Sequence, residues 1–179
     1  MAKIVQLYGG PGAGKSTTAM RLAADLKAAG YNAEYVQENV KNKAWEKRSA
    51  KYFNAQDLIF AKQHWDVDIV ATEVDIVVTD SPILMSMCYI PDNFKLPTLK
   101  KVIREAHDSY ESLNIFMKRG SKPYNPKGRN QTKEEAVAKD REIYEMLVEQ
   151  NIDYIELVFD YENNAKLLMA MLKAEGWLK

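Results

Sequence analysis

Nine consecutive residues near the start of the chain, Gly9-Gly-Pro-Gly-Ala-Gly-Lys-Ser-Thr17, carry its densest chemistry. The spacing Gly9-x-x-x-x-Gly14-Lys15-Ser16 is that of a Walker A motif. Glycines let the backbone turn inward, so the N–H groups of Gly10, Gly12, Ala13, Gly14, Lys15, Ser16 and Thr17 can converge on phosphate. A helix opening at Lys15 adds the positive end of its dipole. Lys15 then reaches the β- and γ-phosphates, the Ser16 hydroxyl is placed to ligate Mg²⁺, and Thr17 touches the α-phosphate. The alternative is a glycine-rich turn that happens to precede a Lys-Ser helix; the strand pattern before the loop and the helix pattern after it favour the motif.

Two acids and a basic run are expected to join this loop. Asp80 ends the apolar run VDIVVTD. A carboxylate there can hold Mg²⁺ directly or through water, or can cap the helix begun by Ser-Pro, or both. Glu38 ends YVQE, and a carboxylate beside the phosphate loop can orient or deprotonate an acceptor hydroxyl. The segment KRGSKPYNPKGR holds Lys118, Arg119, Lys122, Lys127 and Arg129, with no acid from 118 to 133. Phosphoryl transfer spreads negative charge that arginines offset, so Arg119 and Arg129 are the expected phosphate contacts. Glycine and proline let such a loop close as a short basic lid over about 119–131. The same run could instead follow a nucleic-acid backbone.

Alternating elements are needed to position these residues. KIVQLY (3–8), AEYVQE (33–38), VDIVVTD (74–80), SLNIFMK (112–118) and DYIELV (153–158) read as strands. Helical periodicity covers 15–30, stopping at Gly30, then 45–72, 81–90 with Pro82 in the first turn, 96–110, 132–151 and 161–177. Thr132 and Glu135 form a capping-box pattern. Strand–helix alternation implies a mostly parallel five-stranded sheet with helices on both faces. Ligands of such sheets sit at the carboxyl ends of the strands, where 9–17, Glu38, Asp80 and Arg119 should meet.

The 179 residues suit a single domain, 1–179, with the lid as its appendage. Lysine plus arginine equals aspartate plus glutamate at 25 each, which argues against binding nucleic acid by bulk charge. Cys88 is the only cysteine, so no internal disulfide forms, compatible with a cytoplasmic protein. No apolar run is long enough to span a bilayer. His64 and His107 have no partner at ligand spacing and are read as structural. Trp45 and Phe53 serve either a base or the core.

GGPGAGKSTTA, an acid after the second strand, DSP after the third and an arginine-bearing lid before a late helix together resemble the small P-loop kinases of nucleosides, nucleotides and nicotinamide riboside. The chain looks most similar to short phage-encoded members, including the type that phosphorylates 5-hydroxymethyluracil in DNA. The resemblance implies a P-loop NTPase three-layer α/β fold, kinase activity with ATP and Mg²⁺, and roles for Lys15, Ser16, Glu38, Asp80, Arg119 and Arg129. It implies a nucleoside-type acceptor, free or within DNA, and a host-cytoplasmic location if phage-encoded. Asp-Ser-Pro replaces the acid-Arg-Ser pattern of deoxynucleoside kinases. The other class to weigh is a P-loop ATPase or GTPase switch. Against a GTPase, NKAW (42–45) has Trp where the guanine motif needs Asp.

Overall fold

The computed structural model describes residues 2–39, 50–121, 123–125 and 131–178. Its strands are β1 (Lys3–Tyr8), β2 (Ala33–Val36), β3 (Ile76–Thr79), β4 (Ser112–Lys118) and β5 (Ile155–Val158). Between and after them come α1 (Lys15–Ala28), α2 (Ala50–Phe53), α3 (Gln56–Ala71), a 3-10 helix (Ile83–Tyr89), α4 (Leu99–Asp108), α5 (Lys133–Glu149) and α6 (Asn164–Ala174). The sheet order is β2-β3-β1-β4-β5, and every neighbouring pair is parallel.

Parallel strands joined by helices are covered on both faces, which is why β1 and β3 are buried along nearly their whole length. Side chains alternate across the sheet. Val5, Leu7, Val78, Ile115 and Met117 pack with Leu22 and Leu26 of α1 and Leu168 and Leu172 of α6. Ile4, Tyr8, Val77 and Phe116 pack with Phe60 and Val67 of α3, Ile103 of α4, and Ile143 and Leu147 of α5. These are the three layers expected of a P-loop NTPase fold. Among the described residues no helix is long and apolar enough to cross a membrane.

Local signals act where the sequence puts them. Gly30, at φ +88°, follows the last turn of α1. Thr132 and Glu135 form the capping box that starts α5. Two helices differ from expectation. The run 45–72 is broken at Asn54 and Ala55, where Ala55 leaves the helical region at ψ 66° and the Gln56 amide donates to Phe53 O at 2.6 Å. Pro82 lies before the turns rather than in the first one, at ψ 141°, and the helix that follows is 3-10. Trp45 lies outside the described residues, and Phe53 is half-buried against Tyr52. His64 is held between Phe60 and Tyr110, and His107 is bonded within the core.

Candidate active site

The carboxyl ends of all five strands contribute to one edge of the sheet. The glycine loop follows β1, Glu38 lies two residues past β2, Asp80 and Arg119 immediately follow β3 and β4, and Phe159 follows β5. Gly14 takes the left-handed conformation at φ +96° and hands the chain to α1. No side chain caps that helix and no acid stands in its first turn, so its leading N–H groups keep the polarity that suits an anion. The Phe159 ring covers Gly14 so closely that a Cβ there would overlap it. Ser16 is half-buried and Thr17 exposed.

Lys15 is 9% exposed and donates to Gly9 O at 2.6 Å and Gly10 O at 3.1 Å. Burial lowers the pKa of its ammonium below the ordinary lysine value, against the pull of Glu38, Asp80 and Asp140. The charges of three carboxylates thus act on one buried cation. The main chain ties two of them together, since Glu38 N donates to Asp80 Oδ1 at 3.0 Å. Asp80 is 2% exposed.

The Tyr35 phenol of β2 interacts with both the Asp80 carboxylate and the Ser16 hydroxyl. Its pKa is held well above the ordinary phenol value, first by burial and then by the Asp80 charge. Ser16 and Asp80 therefore share one phenol as a neighbour. Mg²⁺ takes one or two protein oxygens and completes its shell with water and phosphate, so a hydroxyl–carboxylate pair at a phosphate loop fits it.

Arg119 folds onto the shoulder of the glycine loop. It donates from Nε to Asp140 Oδ2 at 2.5 Å, from Nη1 to Pro11 O at 2.9 Å and from Nη2 to Ala136 O at 2.9 Å. Its guanidinium also lies 6.0 Å from the Tyr124 ring, and a Cβ on Gly12 would meet that ring at 3.0 Å. The start of the basic segment is thus packed on the loop. Arg129 lies outside the described residues.

Beside Glu38, Asn39 donates from Nδ2 to Gln63 Oε1 at 3.0 Å and Asp66 Oδ2 at 2.6 Å. Gln63 is 3% exposed, and its Nε2 has no acceptor among the described residues. Asp140, Tyr35, Gln63 and Phe159 are functional candidates beyond the sequence reading. Phe159 could have been found from the carboxyl-end rule, since it directly follows the last strand. Asp140 gives no such signal within a long polar helix.

A family model described as an AAA domain matches residues 4–163. No curated protein sequence matches the chain. Among solved structures the chain is similar to deoxyadenosine kinase from M. mycoides, determined with products dCMP and a flexible dCDP bound. The identity is 16%, the TM-score 0.58, and the match covers 96% of this chain and 99% of that one. It is also similar to NadR protein in complex with NR, at 16% identity and TM-score 0.72. That match covers 99% of this chain and 52% of NadR, so the chain spans about half of that protein. Likenesses at this identity carry the fold, a three-layer P-loop architecture shared with proteins of both names.

Proposed function

The chain belongs to the AAA domain family, and from that premise we propose that it is an ATP-dependent kinase acting on a hydroxyl of a nucleoside-type acceptor. The observation that carries this reading is the buried Lys15 at the glycine loop, under the charges of Glu38 and Asp80, which follow the next two strands. One acid more than a metal site needs is available to serve an acceptor. Gln63 supports the acceptor class, because its buried amide nitrogen can donate to a base carbonyl beside Glu38.

In the proposed reaction Glu38 takes the acceptor proton as the new O–P bond forms. The bond from the γ-phosphorus to its bridging oxygen breaks, and ADP leaves. Lys15 exchanges the carbonyls of Gly9 and Gly10 for phosphate oxygens. Arg119 and Arg129 offset the charge of the transferring group. Ser16 and Asp80 would hold Mg²⁺, which when bound supplies charge neutralisation at the β- and γ-phosphates.

The deciding experiment incubates the protein with γ-labelled ATP and Mg²⁺ against nucleosides, nucleoside monophosphates, nicotinamide riboside, and DNA with and without 5-hydroxymethyluracil. Label on a small molecule means a metabolite kinase. Label only on modified DNA means the acceptor base is presented unstacked to the site, with the basic segment on the strand. Phosphate released with no labelled acceptor overturns the kinase reading in favour of an ATPase.

A further inference from the structure

Asp140 is drawn into the site by two donors at once. One carboxylate oxygen accepts the Gly10 N–H at 2.6 Å, and the other accepts Arg119 Nε at 2.5 Å. Its charge also acts on the buried Lys15 ammonium. The approach of α5 to the loop is close. A Cβ on Gly10 would lie 2.5 Å from Ala136 O and 2.6 Å from Asp140 Oδ1, so the absence of a side chain at 10 is what lets helix and loop meet. The carbonyls of Pro11 and Ala136 hold the two terminal nitrogens of Arg119, one from each side of this junction. A guanidinium has two N–H bonds on each terminal nitrogen, so one on each is left for a further acceptor.

We propose that Asp140 is a positioning residue: it fixes Arg119 against the phosphate loop, so that the remaining guanidinium N–H bonds are presented to the phosphates of a bound nucleoside triphosphate. This role rests on the glycine loop being the triphosphate site. Asp140 need not touch the nucleotide. It removes the rotational freedom of a long side chain before binding, and it ties α5 to the loop that the nucleotide orders. Its effect on binding must therefore pass through Arg119.

A double-mutant cycle on nucleotide affinity tests this without requiring a known acceptor. Mg²⁺–ATP is titrated by calorimetry into the wild-type protein, Asp140→Ala, Arg119→Ala, the double variant and Lys15→Ala. Asp140→Asn, of the same shape, serves as the second variant if alanine unfolds the junction. The expected result is a loss of about tenfold in affinity for Arg119→Ala and a similar loss for Asp140→Ala, the scale of one charge-assisted hydrogen bond. The double variant should bind no worse than Arg119→Ala alone. A purely structural Asp140 would weaken binding by the same factor with and without Arg119, and that multiplicative result overturns the proposal. Unchanged affinity in Asp140→Ala and Asp140→Asn overturns it as well. Undiminished binding by folded Lys15→Ala would instead sink the triphosphate-site reading beneath it.

Discussion

Lys15 serves the loop: its ammonium is bonded to two loop carbonyls. Lys15→Ala should abolish phosphoryl transfer while circular dichroism and melting temperature stay near wild type. Transfer at the wild-type rate in that folded variant would remove the Walker A assignment. Two glycines separate loop geometry from simple strain. Gly30 and Gly14 both have positive φ, but nothing lies within 4 Å of a Cβ on Gly30, whereas Phe159 fills that space at Gly14. Gly30→Ala should cost about 1–2 kcal/mol of stability and leave ATP affinity alone. Gly14→Ala should cost more and weaken ATP binding, because either the ring or the loop must move. Thermal melts with and without ATP compare the two directly. At this scale the sequence pointed to candidates that a motif or a strand end marks: the loop, Glu38, Asp80 and Arg119. Tyr35 and Asp140 obey none. They matter because β2 and α5 bring them to the loop, and that is a property of packing.

Helix α4 is anchored on the central strand by a polar contact inside the core. Gln6 Nε2 lies 3.1 Å from His107 Nδ1 and donates to Ser112 Oγ at 2.8 Å. Burial lowers the His107 pKa to about 4, with Asp108 opposing the shift and Arg104 adding to it. The unfolded chain binds a proton at this residue near pH 6.5 while the folded chain does not until about 4. Stability is therefore present above pH 6.5 and lost as pH falls toward 4, by at most about 3 kcal/mol. Denaturant melts across this window should show the slope, and His107→Gln should flatten it. An unchanged slope in the variant would place the acid sensitivity elsewhere. Strand and helix types were legible at this scale because periods of two and 3.6 are written in the side chains. The break at Ala55 and the 3-10 geometry after Pro82 were not, because backbone angles and a Gln56 side-chain bond decide them, and periodicity does not register either.

Across the whole molecule, one edge of the sheet collects a contribution from every strand. The alternation of elements implied that edge. The order β2-β3-β1-β4-β5, which sets Glu38 and Asp80 on one side of the loop and Arg119 on the other, is a choice among topologies that no local pattern encodes. A ligand at such an edge touches segments from the whole length of the chain, so binding should stabilise all of it and not one element. Any ligand that binds only the folded state adds about 2.7 kcal/mol at a hundred times its Kd. For a domain of this size each kcal/mol raises Tm by roughly 2–4 °C. Saturating Mg²⁺–ATP should therefore raise a single cooperative transition by roughly 5–10 °C, and Lys15→Ala should lose most of that shift. Tyr35→Phe should keep the shift produced by ATP alone but lose part of the increment added by Mg²⁺, since Ser16 and Asp80 both interact with its phenol. Equal increments in the two proteins would mean that those oxygens do not need Tyr35 to hold them for the ion.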